Sequence, residues 1–137
     1  MFYLTEVNLL HVLVVTIVSF IIGFLWYGPV FGKKWMRLMN MTHGDMKSMK
    51  MKPAVAMLLG FVSSFVTAFV LAQFINLFNA DNLVSGLKLS FLVWLGFIAT
   101  ITLGSFLWEG KSFNLWLFNN AYNLINFLVM GAILAVW

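Results

Sequence analysis

Four long runs without a charged side chain limit what this chain can fold into. No Asp, Glu, Lys or Arg occurs within 8–27, 54–78, 89–108 or 113–137. Each run is long enough for an α-helix that crosses about 30 Å of hydrocarbon. Charged residues make up 9% of the chain, against about 25% in an ordinary soluble domain. We therefore predict an all-α membrane protein, folded as a four-transmembrane-helix bundle in one domain over residues 1–137.

The basic residues predict the orientation of this bundle. The predicted helices 1 to 4 span about 8–27, 54–78, 87–108 and 113–137, and residues 28–53 form the first loop, loop 1. Six of the eight basic residues lie in loop 1, namely Lys33, Lys34, Arg37, Lys47, Lys50 and Lys52. Short basic loops stay on the cytoplasmic side, so we expect both termini outside. The net charge of +4 then indicates contact with anionic lipid headgroups rather than with nucleic acid.

Loop 1 begins with a helix break and an amphipathic segment. Gly28 and Pro29 end helix 1, because proline removes a hydrogen-bond donor and disfavours helix in the residue before it. In the following residues, Trp35 lies on an apolar side and three cations lie on the opposite side. This pattern predicts a short interfacial helix whose cations bind lipid phosphates. These cations are Lys33, Lys34 and Arg37, and the boundary aromatics beside them are Trp26, Tyr27 and Trp35.

Loop 1 also contains residues that could ligate a soft metal. Thioethers and one imidazole, in particular His43, Met46 and Met49, are ligands that Cu(I) accepts. Cationic residues are interleaved with them, and methionine commonly serves as a flexible apolar side chain. The chain has no cysteine, which excludes thiolate sites. We therefore predict no metal and no cofactor.

Small residues at four-residue spacing predict where helices pack. Such spacing lets two transmembrane helices approach closely. It occurs along helix 2 and again along helix 3. The residues predicted to mediate packing are Gly60, Ser64, Thr67, Ala68, Gly96, Thr100 and Gly104.

Helix 4 carries a stripe of polar residues at membrane depth. Asn119, Asn123 and Asn126 lie within about 60° of one another on a helical wheel, and Tyr122 adjoins them. Carboxamides facing lipid would be costly, so the stripe should face the bundle, a cavity or a partner. Hydrogen bonds to residues such as Thr67 or Thr100 would make it a packing device. A water-filled path or a small-ligand site is the alternative.

Two segments of the chain resemble each other. The run 24–31 aligns without gaps to 106–113 and keeps Phe, Leu, Trp, Gly and Phe in register. Both runs end a helix that enters from the outside. We hypothesise that the chain consists of two tandem helical hairpins, as in transporters with parallel repeats.

The run from Gly23 to Met36 resembles the signature of the DUF1761 family of small membrane proteins. Glu109, the Tyr122-Asn123-Leu124 triplet and the closing 131–137 resemble the C-terminal half of that family. The resemblance implies a four-helix protein of a mostly bacterial family, and hence the bacterial inner membrane. It implies no established activity, so no catalytic residue follows from it.

Two classes of function remain. An enzyme is unexpected, because no nucleophile, base or metal is predicted at membrane depth. A proton-coupled exporter needs a carboxylate inside the bilayer, whereas Glu6, Asp81 and Glu109 lie at or beyond helix ends. We expect Glu109 to pair with a cation of loop 1.

A structural or accessory subunit, self-associating or bound to another membrane protein, is ranked first. An oligomeric transporter, channel or small-ligand-binding protein that uses the helix 4 stripe is the alternative.

Overall fold

The structure is a computed structural model that describes residues 4–42, 44–45 and 50–137. Within these residues it contains helices and no strand. The α-helices are α1 (Leu9–Leu25), α2 (Gly32–Leu38), α3 (Pro53–Leu77), α4 (Leu83–Trp94), α5 (Thr100–Thr102), α6 (Gly104–Leu107) and α7 (Phe113–Val136). Turns of π-helix occupy Trp26–Val30 and Leu95–Ala99.

These elements form four stretches that are long and apolar enough to cross a membrane. They are span 1 (Leu9–Val30), span 2 (Pro53–Leu77), span 3 (Leu83–Leu107) and span 4 (Phe113–Val136). The predicted all-α, four-span fold is therefore confirmed. The short helix α2 follows span 1 within the segment predicted to be amphipathic.

Span 3 begins at Leu83, earlier than the predicted start at residue 87. The cause is a capping box, in which Ser85 N donates to Asn82 Oδ1 at 3.0 Å and Asn82 N donates to Ser85 Oγ at 3.4 Å. These two bonds satisfy backbone donors that an uncapped helix start leaves free. Ser85 therefore belongs to the first helical turn and not to the loop.

Span 4 lies at the centre of the bundle and packs against each of the other three spans. Span 1 also packs along span 2, whereas spans 2 and 3 touch each other little. The core between spans 1, 2 and 4 includes Val12, Val15, Ala68, Leu71 and Met130, which are almost fully buried. Large apolar side chains cover the outer surface, among them Leu58, Leu92 and Ile101. This distribution suits a bundle surrounded by lipid.

Spans 3 and 4 approach each other most closely at two glycines. A Cβ atom on Gly86 would lie 2.9 Å from the carbonyl oxygen of Gly131, and one on Gly131 would collide with Ser90 Oγ. Ser90 is fully buried. The close approach therefore requires residues without side chains at both positions.

The N-terminal segment is bound to the end of span 2. The side chain of Gln73 accepts hydrogen bonds from Thr5 N at 2.7 Å and from Thr5 Oγ1 at 2.8 Å, and its Nε2 donates to Thr5 O at 3.0 Å. At the same end, the ring of His11 stacks on Trp137 with centroids 3.9 Å apart. Both chain ends thus lie at the end of the bundle opposite loop 1.

The two most extensive interfaces join spans 1 and 2 and spans 3 and 4, as two hairpins require. The resembling runs differ in local backbone, however. The first forms the π-helical turn at Trp26–Val30, with non-helical angles at Gly28. The second leaves the helix after Leu107 and reaches an extended Ser112. The relation between the hairpins therefore stays a hypothesis.

Candidate functional site

The break after span 1 folds the chain back against span 4. The helical angles are interrupted at Gly28, where φ is −113° and ψ is −110°, directly before Pro29. The break places the aromatic side chains around it against Phe118 and Tyr122 of span 4. We call this group the loop 1 aromatic cluster; it consists of Trp26, Tyr27, Phe31, Trp35, Phe118 and Tyr122. The boundary aromatics predicted from the sequence are thus part of the tertiary packing.

A polar contact reinforces this cluster. The hydroxyl of Tyr27 donates a hydrogen bond to Asn119 Oδ1 at 2.7 Å. The rings of Tyr27 and Tyr122 meet edge to face with centroids 5.1 Å apart. The structure therefore brings together a residue from the signature run and a residue from the helix 4 stripe, which the sequence treated separately.

The four members of the stripe have different environments. Asn119 and Asn123 line a cavity at the loop 1 end of the bundle. Asn126 is buried farther along span 4, and its Oδ1 atom has no hydrogen-bond partner in the described part of the chain. The Tyr122 hydroxyl lies 2.8 Å from the position that a Cβ atom on Gly23 would occupy. The stripe faces the interior of the bundle, but it does not form one site.

The expected hydrogen bonds from the stripe to threonines are not formed among the described residues. Thr67 Oγ1 donates to Ser63 O at 3.0 Å, and Thr100 Oγ1 donates to Gly96 O at 2.8 Å. Each threonine therefore satisfies its hydroxyl within its own helix. Hydrogen bonds to Thr67 or Thr100 therefore do not explain why the stripe is polar.

Asn120, which the sequence reasoning missed, is the structural carboxamide of span 4. It is 2% exposed, and its Nδ2 donates to Thr102 Oγ1 and to Trp116 O, both at 3.0 Å. Its backbone carbonyl accepts a bond from Trp94 Nε1 at 3.1 Å. The sequence feature that could have identified Asn120 is its position on the helical wheel, about 60° from Asn123 at the edge of the stripe.

The cavity has a volume of about 710 Å³ and opens at the loop 1 end of the bundle. It is bordered by the end of span 1, by α2, by the last turns of span 3 and by the first half of span 4. We call it the loop 1 cavity. Its lining residues are Tyr27, Trp35, Ile101, Thr102, Gly104, Ser105, Glu109, Trp116, Asn119, Asn120 and Asn123.

Glu109 lines this cavity and does not make the ion pair that the sequence suggested. In the described part of the chain no salt bridge joins it to Lys33, Lys34 or Arg37. The reason is geometric: Lys33 and Arg37 do not line the cavity, and Lys34 lines a separate groove on the other side of the aromatic cluster. Glu109 is thus an exposed carboxylate beside the polar half of span 4.

The residues predicted to mediate helix packing differ in how far they are buried. Ala68 is fully buried, while Ser64 and Thr67 are half-buried. Gly60, Gly96 and Thr100 are exposed, and a Cβ atom on either glycine would meet no atom within 4 Å. Gly104 borders the loop 1 cavity and lies near Trp108.

The close helix contact uses Gly86, Ser90, Gly131 and Ala135 instead. These residues have the same four-residue spacing and could have been recognised by it.

The three cations of α2 are exposed. The low-ranked metal candidates, His43, Met46 and Met49, lie outside the described residues. Within the described ranges no group of three or more His, Cys, Asp or Glu side chains could hold a metal ion.

The family comparison covers nearly the whole molecule. The model of a family described as "Protein of unknown function (DUF1761)" matches residues 10–135. No curated protein and no solved structure matches the chain. The matched region includes all the lining residues of the loop 1 cavity. The chain belongs to the DUF1761 family.

Proposed function

We propose that this membrane protein binds a small polar ligand in the loop 1 cavity. The observation that carries the proposal is the convergence of Tyr27, Trp35, Glu109 and Asn123 on one opening at the end of a transmembrane bundle. Small-ligand sites usually occupy about 300–1,000 Å³ and combine apolar walls with a few placed polar groups. The loop 1 cavity has this size, and its lining combines aromatic walls with a larger share of polar side chains, which suits a small polar ligand.

The hydrogen bonding of the lining separates structural from available groups. Asn120 has partners on span 3 and on its own helix, so it holds the bundle together. Asn123 makes no hydrogen bond among the described residues although it lines the cavity. A carboxamide without a partner at this depth is costly unless water or a ligand satisfies it. Asn123 is therefore the residue best placed to bind a ligand.

The chemistry proposed is binding or passage, not catalysis. Among the described residues, the cavity offers a carboxylate, a phenol, carboxamides and the hydroxyls of Thr102 and Ser105, and neither of these hydroxyls is hydrogen-bonded to the carboxylate as a nucleophile paired with a base would be. Loop 1 carries most of the basic residues, which favours a cytoplasmic opening and both termini outside. The resemblance to a mostly bacterial family favours residence in the bacterial inner membrane. The exposed cations of α2 would then contact anionic headgroups.

Native mass spectrometry of the gently extracted protein tests this proposal. The wild type should retain a small-molecule adduct, and Asn123→Leu should lose it while keeping the same oligomeric state. Asn114→Leu is the control, because Asn114 is exposed on span 4 outside this cavity. A wild type without any adduct, or an adduct retained in Asn123→Leu, would contradict the proposal.

A second function, as a self-associating or accessory subunit, is favoured by one observation. Gly60 on span 2 and Gly96 on span 3 are exposed in the single chain and have no neighbour at their Cβ positions. Small residues on a lipid-facing surface allow another helix to approach closely. Cross-linking in native membranes tests this role: Gly60→Leu or Gly96→Leu should abolish a cross-linked species, and an unchanged pattern would exclude these faces.

A further inference from the structure

We infer that the loop 1 cavity selects organic cations, that is, ammonium or guanidinium groups attached to an organic body. This inference rests on the proposed binding function and names the ligand class of the same site. It follows from three properties of the lining: its charge, its aromatic rings and its hydrogen-bond acceptors.

The charge of the lining has one sign. Glu109 is the only lining residue with a formal charge in the part of the chain that the structure describes. Among the described residues, no Lys or Arg borders the cavity, and no salt bridge neutralises Glu109. An opening whose lining carries one carboxylate and no cation attracts cations and disfavours anions.

Aromatic rings border the same space. The rings of Tyr27 and Trp35 meet edge to face with centroids 5.7 Å apart. Trp116, which also lines the cavity, donates from Nε1 to Ala99 O at 3.2 Å and stacks on Phe113 with centroids 5.4 Å apart. These contacts fix two indole rings at the walls of the cavity. Indole faces attract cations within about 6 Å of the ring centroid, and most strongly where water is excluded.

The side-chain amides of the lining offer oxygen atoms that can accept hydrogen bonds from a cationic ligand. Asn119 Oδ1 already accepts from the Tyr27 hydroxyl, whereas the Asn123 carboxamide has no protein partner in the described ranges. An ammonium group donates hydrogen bonds and accepts none. The free oxygen of Asn123 and the Glu109 carboxylate are therefore complementary to it. Such a group could be supplied by a soluble amine or by the headgroup of phosphatidylethanolamine.

Calorimetric titration of the full-length protein in nanodiscs tests this inference. The probes are choline and 3,3-dimethylbutan-1-ol, which has nearly the same shape without the charge. Neither has an N–H group and both have a hydroxyl that can donate to Asn123, so the pair isolates the effect of the charge. In phosphatidylglycerol nanodiscs, choline should bind about tenfold more tightly than the alcohol, because only choline gains charge and cation–π attraction. Glu109→Gln should weaken choline binding about two- to fivefold and leave the binding of the alcohol unchanged.

Matched controls are available on the same chain. Glu6→Gln removes a carboxylate at the opposite end of the bundle, and Trp108→Leu removes an exposed indole next to Glu109 in sequence. Neither should change choline affinity, whereas Trp35→Leu should lower it. Adding phosphatidylethanolamine distinguishes the sources: a lower apparent affinity for choline identifies the headgroup as the occupant, and an unchanged affinity identifies a soluble cation.

The outcomes separate this inference from the proposed function. Equal binding of the two probes, or no effect of Glu109→Gln, would overturn the cation class. The binding function would survive if Asn123→Leu still weakened both probes. If neither probe binds and a different adduct is lost in Asn123→Leu, the inference fails and the binding function stands. If no probe and no adduct binds, both fail.

Discussion

The Tyr27 hydroxyl donates a hydrogen bond to Asn119 Oδ1 over 2.7 Å, and this bond joins the kinked end of span 1 to the first turns of span 4. It lies at the wall of the loop 1 cavity. The bond therefore links the stability of the bundle to the shape of the candidate site.

Replacing Tyr27 with Phe should lower the free energy of unfolding by about 1 kcal/mol, because Asn119 loses a hydrogen-bond donor at a half-buried position. Equilibrium unfolding in mixed detergent micelles measures this change. Tyr122→Phe is the matched control, since the Tyr122 hydroxyl has no hydrogen bond among the described residues. An equal loss in both variants would show that the Tyr27–Asn119 bond contributes nothing specific.

Adding a methyl group at the closest helix contact should be destabilising. Gly131→Ala would drive Cβ into Ser90, and Gly86→Ala would drive it to within 2.9 Å of a backbone carbonyl. We expect a loss of about 1–3 kcal/mol for each, as for overpacked cores. Unfolding of the purified protein provides the measurement.

Gly60→Ala and Gly96→Ala are the controls for this comparison, because both positions are open. Each should change the free energy of unfolding by less than about 1 kcal/mol. A larger loss in the controls than in Gly86→Ala would mean that spans 3 and 4 do not cross at the glycine pair.

Removing the structural carboxamide of span 4 should also be costly. Asn120→Ala removes a buried carboxamide that donates to Thr102 Oγ1 and to Trp116 O, and the loss of these two bonds should cost about 1–3 kcal/mol. Asn114→Ala, on the exposed surface of the same helix, should have little effect. Thermal unfolding followed by circular dichroism distinguishes the two variants. Similar melting temperatures would contradict the structural role of Asn120.

The attachment of the N-terminal segment can be tested at one amide. Thr5 N donates to Gln73 Oε1, so Gln73→Leu should accelerate hydrogen exchange at Thr5 by about tenfold or more. Thr5→Val keeps the backbone bonds and should cause a smaller change. Unaltered exchange in Gln73→Leu would show that Gln73 does not hold this segment.

The sequence was sufficient to predict the four spans, the break at Gly28 and the short helix after it. Charge-free runs and proline act locally, so they can be read without knowing the neighbours. It did not predict which small residues touch. Gly60 lies inside predicted helix 2, whereas Gly86 lies just before the predicted start of helix 3 at residue 87. The earlier helix start and the arrangement of spans decide that Gly86 is buried against Gly131 and Gly60 is exposed.

The candidate site was recognised only in parts, for the same reason. Tyr27 and Trp35 were assigned to the membrane boundary, Glu109 to an ion pair and Asn123 to a stripe. No pattern in the sequence places these residues around one cavity, because they lie on four segments whose contacts depend on the fold-back at Gly28. The position of Asn120 at the edge of the stripe was visible, but its bonds to span 3 were not.

The accessibility of position 123 to water tests the central claim most directly. Because the chain has no cysteine, Asn123→Cys introduces a single thiol, which reacts as a thiolate and therefore needs water. Ile125→Cys, on the exposed apolar face of span 4, is the control. We predict that a charged methanethiosulfonate modifies Asn123→Cys at least about tenfold faster than Ile125→Cys in native membranes. Equal and slow modification at both positions would contradict a water-accessible site in the loop 1 cavity.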